Sequence, residues 1–163
     1  MQEMVIYGVS FDMVGKQPIV LLKTADGNKF LPIWIGHPEA AAILMKLQGA
    51  STPRPMTHDL LTEVLTKLEA RVVRIAVTEL RENTFYARIT LRRNGTTVEI
   101  DSRPSDAIAL AVRCDAPIFA ADDVVESSAI EMEDEDANPS DPEAQIAEFK
   151  AFLDDVRPDD FAG

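Results

Sequence analysis

Two short segments each place an arginine, an acid and a helix start within a few residues: Arg54-Pro55-Met56-Thr57-His58-Asp59 and Asp101-Ser102-Arg103-Pro104-Ser105-Asp106. A helix N-terminus offers unpaired amide donors and the positive end of a dipole, which suits phosphate oxygens, and a guanidinium can add two parallel hydrogen bonds. Arg54, Arg103 and Ser105 are therefore candidate phosphate-binding residues. His58 could give or take a proton near neutral pH, with Glu39, Asp59 and Asp106 orienting it or binding a divalent cation such as Mg²⁺ or Mn²⁺. Together they suggest cleavage of phosphate esters.

Each residue also has a purely structural reading. Asp59 and Asp106 sit where acids complement helix dipoles, Arg103 can pair with Asp101 or Asp106, and His58 can be an ordinary first-turn residue. What favours chemistry is the clustering in two matching segments of a chain with only two histidines. Other arrangements are poorly supported. Cys114 ends an apolar helix, His37 precedes a proline, and no Cys/His spacing suggests zinc. No Walker lysine or dinucleotide glycine pattern occurs. Glu148-Phe149-Lys150 has an acid-x-lysine spacing but falls on a tail helix, away from any core strand.

The elements that must position these groups follow from patterning. Val5–Phe11, Pro18–Thr24 and Lys29–Ile35 read as strands, with a hairpin turn at Asp26-Gly27-Asn28. Gly36-His37-Pro38 ends the third strand, and residues 39–47 read as a helix whose apolar surface implies burial on most sides. Thr57 is the expected N-cap of a helix over residues 58–69, with Leu60, Leu61, Val64, Leu65 and Leu68 as an apolar stripe. Residues 71–80, 84–93 and 96–101 give three more strands with turns at Glu82-Asn83 and Asn94-Gly95. Residues 104–113 read as another apolar helix, and Ile118-Phe119 as a last short strand.

Three strands, a proline and an Ala-rich helix thus occur twice, Pro38-Glu39-Ala40 echoing Pro104-Ser105-Asp106 at an offset of 66 residues. The expected architecture is α+β, a mixed or antiparallel sheet with buried helices, built either as two β-β-β-α half-repeats or with a chance likeness of two helix starts. In the strand over 84–93, Tyr86, Arg88, Thr90 and Arg92 share one face. That face either tracks a nucleic-acid backbone or is solvated, with cross-strand pairs to Glu99 and Asp101.

Charge divides the chain. Residues 1–121 hold 13 acids and 14 bases, whereas residues 122–163 hold 15 acids against Lys150 and Arg157. The expected organisation is one domain over residues 1–126. Residues 127–163 follow as an acidic linker and a short amphipathic helix carrying Ile146, Phe149, Leu153 and Val156. The lone Cys114, the absence of a leader pattern and of any long apolar run point to a cytoplasmic protein with no membrane partner. The near-neutral domain can approach a polyanion, and the acidic segment opposes that approach.

Leu31-Pro32-Ile33-Trp34-Ile35-Gly36 with Glu39-Ala40, Arg54-Pro55-Met56-Thr57-His58-Asp59-Leu60-Leu61, Asn83-Thr84-Phe85-Tyr86-Ala87 and Asp101 through Ala111 follow in an order that resembles the bifunctional nuclease domain family. The resemblance covers about residues 1–125, and Phe152-Leu153-Asp154-Asp155-Val156 with Pro158 and Phe161 also looks like its bacterial members. Here His37-Pro38 stands between the glycine and Glu39. The resemblance implies an α+β fold, self-association as a homodimer or higher homo-oligomer, and nuclease activity on DNA and RNA. The roles given above to Glu39, His58, Asp59, Arg103 and Asp106 come from their chemistry. Two alternatives remain: a non-catalytic oligomeric interaction or regulatory protein, and a binder of a small phosphorylated metabolite.

Overall fold

The computed structural model describes residues 1–12 and 14–131. Three strands, β1 (Gln2–Asp12), β2 (Gln17–Thr24) and β3 (Lys29–Trp34), form an antiparallel meander followed by helix α1 (His37–Leu47). After helix α2 (Thr57–Lys67), a second meander repeats the plan with β4 (Arg71–Arg81), β5 (Thr84–Arg93) and β6 (Thr96–Ser102), followed by α3 (Pro104–Cys114). Both tight turns of the second meander have the two consecutive positive φ values that match strand twist, at Glu82-Asn83 and Asn94-Gly95.

A three-residue strand, β7 (Ile118–Ala120), joins the halves. It pairs parallel with β4 and antiparallel with β1, giving, with a last strand β8 (Ile130–Glu131), one mixed sheet of order β6-β5-β4-β7-β1-β2-β3-β8. The fold is α+β. The charge-rich stretch after Ala121 begins as part of it. Helix α4 (Asp122–Ser128) buries Val124 and Val125, and β8 (Ile130–Glu131) pairs with β3. Residues 127–131 therefore continue packed structure, anchored by those valines despite their acidic neighbours. The amphipathic helix expected around Phe149 lies outside the described residues.

Alternation along the strands fixes which residues meet the helices. Val20, Leu22, Leu31, Ile33, Ile75, Val77, Ala87 and Ile89 join Ile108 and Leu110 of α3 in the main core, while Ile19, Leu21 and Phe30 form a second cluster with Trp34. Small side chains let α3 approach its neighbours closely: Ala107, Ala109 and Ala111 are all buried. The expectation for α1 requires correction. Only Ala40 and Ile43 are buried, because one side of the helix, with Ala41, Ala42 and Met45, faces a cleft rather than protein, and Leu47 at its end is 48% exposed. The apolar stripe of α2 is left mostly uncovered. Leu65 packs inward, but Leu60, Leu61, Val64 and Leu68 are exposed, because α2 rests on α3 at the rim of the helix layer.

Candidate active site

The cleft lies among α1, α2, the start of α3 and the loop over residues 48–56, and encloses about 620 Å³. Glu39, His58, Asp59, Arg103 and Asp106 all line it. Local structure explains their convergence. Pro38 and Pro104 occupy first-turn positions of α1 and α3, and both helices begin as the chain leaves the last strand of a meander. Helix α2 starts one residue earlier than its pattern suggests, with Met56 rather than Thr57 as N-cap. The Asp59 carboxylate accepts the Met56 N–H at 3.0 Å and so closes the first turn.

The polar groups form two connected chains. In the first, His58 Nε2 lies 2.9 Å from Asp106 Oδ1, and Arg103 grips the same carboxylate through Nε at 2.7 Å and Nη2 at 3.1 Å. Arg103 Nη2 also reaches Glu39 Oε1 at 2.9 Å. Gly36 permits this, since a Cβ there would collide with the Glu39 carboxylate. In the second, Arg113 Nε meets Asp59 Oδ1 at 2.6 Å, while its other nitrogens donate to the carbonyl oxygens of Ala109 and Ala42. One buried guanidinium thus ties α3 to both α1 and α2.

These contacts set the charge states. Burial raises the cost of ionising Asp106, but hydrogen bonds and charge from Arg103 and His58 outweigh it and hold the carboxyl below its ordinary range. The Arg113 hydrogen bond, aided by the Met56 amide, lowers Asp59 likewise. Asp106 in turn holds Arg103 more firmly protonated. An ionised Asp106 favours the His58 tautomer with the proton on Nε2, leaving Nδ1 with the lone pair that a base requires.

Two of the proposed phosphate-binding residues are placed elsewhere. Arg54 is exposed in the loop and does not line the cleft, and Ser105 is buried beside a smaller neighbouring pocket. Sequence reasoning missed Arg113 and Lys46. Arg113 stands seven residues after Asp106, two turns along the same helix face, and that spacing was its available signal. Lys46 lines the cleft and makes no ion pair with another described residue.

The donor set does not suit a divalent cation. Among the described residues, no group of three His, Cys, Asp or Glu side chains could hold a metal ion, and the acids of the cleft are mostly spent on arginines. No helix among them is long and apolar enough to cross a membrane. On the outer sheet face, Arg88 pairs with Glu99 at 3.5 Å, the cross-strand arrangement expected of a solvated surface.

Comparison with known proteins adds a family relationship. The sequence profile of the bifunctional nuclease domain matches residues 20–133. An uncharacterised protein of Mycobacterium tuberculosis is 38% identical over 164 residues, covering 99% of this chain and 98% of that protein. Bifunctional nuclease 1 of Oryza sativa subsp. japonica is 31% identical over 103 residues, and that of Arabidopsis thaliana 30% over 105. Those alignments cover 61% and 62% of this chain but only 31% and 32% of the plant proteins.

Proposed function

This chain belongs to the bifunctional nuclease domain family, and on that premise we propose that its cleft hydrolyses phosphodiester bonds of DNA or RNA. The observation that carries the reading is the His58–Asp106 pair, 2.9 Å apart, held by Arg103 at the wall of an open cleft. His58 takes a proton from water as its oxygen attacks phosphorus. Asp106 orients the imidazole. Arg103, whose Nη1 makes no bond to a described residue, faces the phosphate oxygens with Lys46 as a second cation. The departing sugar oxygen takes its proton from solvent. Glu39 and Asp59 are positioning residues, acting through Arg103 and Arg113.

The purified chain, incubated with single-stranded and duplex DNA and with RNA, with and without Mg²⁺ or Mn²⁺, tests this. Cleavage should fall by about 100-fold or more in His58→Ala and Asp106→Ala. Equal cleavage by the parent and both variants would exclude the dyad. A second reading rests on the ion pairs themselves: Glu39–Arg103–Asp106 and Asp59–Arg113 clip three helices together. This favours a non-catalytic interaction protein in which these groups hold the fold together. It predicts no turnover and a loss of stability in the same variants.

A further inference from the structure

A second pocket of about 260 Å³ opens where the two half-repeats meet. Its wall comes from the end of β3, the start of β5 and the start of α3, with Gln17 from the start of β2. Gln17 and Asn83 stand at the same 66-residue offset that relates the two meanders, so the pocket is a product of the duplicated plan. Arg103 lines this pocket as well as the larger cleft. Arg103 is therefore common to the walls of the two spaces.

The small pocket differs chemically from the cleft. Trp34 and Phe85 supply aromatic surface, and Gln17 and Asn83 supply neutral amides, each able to donate and accept. Neither amide side chain hydrogen-bonds to another described residue. Arg103 is the charged group in its wall. A lining that combines two aromatic residues, two neutral amides and one cation matches a nucleobase attached to a phosphate, because every base has a stackable face and an edge of donors and acceptors. The volume lies just below that of pockets for drug-sized ligands, as expected for a single ring system rather than a base pair.

We propose that this pocket binds one unpaired nucleobase while the adjoining phosphate lies against Arg103, so that the substrate class of the cleft is single-stranded nucleic acid. The inference rests on the phosphodiesterase reading of the cleft and adds the strand state of the substrate. A paired base cannot enter without leaving its helix, which costs unstacking and unpairing energy. A duplex is then bound only at frayed or unpaired positions.

Trp34 is the sole tryptophan of the chain, so its fluorescence reports on this pocket independently of catalysis. The full chain is titrated with adenosine 5′-monophosphate, ribose 5-phosphate, inorganic phosphate, and a short oligonucleotide as single strand and as duplex. Saturable quenching by the nucleotide and the single strand is expected, with ribose 5-phosphate binding about tenfold more weakly, the factor one stacked base supplies. Phe85→Ala should weaken the nucleotide to a similar degree. Because Phe85 also packs on the core, Asn83→Gly provides a second variant: its turn already requires positive φ, so glycine keeps the hairpin while removing the amide. It should weaken nucleotide binding several-fold and leave ribose 5-phosphate unchanged.

Equal affinity for nucleotide and ribose 5-phosphate, or for single strand and duplex, would overturn the proposal. Cleavage assays on the same proteins separate the two claims. Quenching that responds to both variants in a chain that cuts nothing supports the pocket and refutes the catalysis. Cleavage without selective nucleotide binding does the reverse.

Discussion

Arg113→Met and Asp59→Asn, singly and together, measure how far the cleft depends on its buried clip. The Arg113 side chain is only 7% exposed, whereas Asp59 is 38% exposed. A hydrogen bond to a charged group contributes about 1.5–3 kcal/mol, and the access of water to Asp59 places this one toward the lower end. Asp59→Asn keeps an oxygen for the Met56 amide, so it should cost about 1.5 kcal/mol. Arg113→Met keeps the apolar stem but also removes donors to the Ala42 and Ala109 carbonyls, raising its cost to about 3 kcal/mol. For a chain of this size that corresponds to a fall in Tm of roughly 6–12 °C. Urea unfolding of the four proteins gives the coupling, expected near 1.5 kcal/mol. The Asp59 carboxyl is held below its unfolded value, so the coupling is complete above about pH 4 and fades as pH falls through the folded value. Coupling below about 0.5 kcal/mol at neutral pH would refute the clip and make the pair an ordinary surface contact.

Gly36→Ala should change stability by less than about 1 kcal/mol, because the flexible Glu39 carboxylate can swing aside, yet it should detach Glu39 from Arg103. A crystal structure showing that ion pair intact would contradict the packing argument. Arg103→Ala should reduce nucleic-acid cleavage far more than Arg54→Ala, measured side by side; equal losses would move the phosphate site out of the cleft. Asp106→Asn should flatten the acid limb of the stability curve, since the lowered carboxyl stabilises the fold above its unfolded value and ceases to as pH falls through the folded one. Removing residues 132–163, which hold eleven acids against Lys150 and Arg157, should tighten nucleic-acid binding at low salt by a margin that shrinks as salt is added. Unchanged affinity would show that this segment exerts no field at the site.

Local pattern carried most of the fold because strand alternation, turn chemistry and proline placement act within a few residues. Asn94-Gly95 and Pro104 mark their elements without reference to anything distant. The central place of β7 was not legible, since Ile118–Ala120 is too short to reveal that its partners are β4 and β1. Burial of α1 was overestimated for a related reason. Apolar spacing tells which residues share a face, whereas what covers the face depends on tertiary contacts. The cleft residues His58 and Asp106 could be nominated from type and position. The Asp59–Arg113 pair, spanning 54 residues of chain, could not, because no local rule links α2 to the end of α3.

The repeat also explains why the polar residues of the cleft are not duplicated among the described residues. At the 66-residue offset, Val124 and Val125 stand in the places of His58 and Asp59, and Ala40 in that of Asp106. All three are buried. The loop that opens the cleft between α1 and α2 has as its counterpart the segment containing β7, which instead enters the sheet. Polar chemistry has thus been placed on one side of the duplicated plan and packing on the other. Arg103 is the hinge between them: it starts a helix of the second half, holds Asp106 beside it, and reaches Glu39 of the first. Restoring polarity on the packed side, as in Val124→His, should therefore create no second site. It should bury an unpartnered imidazole at a position 2% exposed and cost about 2–3 kcal/mol, measurable by urea unfolding. A variant as stable as the parent would mean that α4 has room the packing denies.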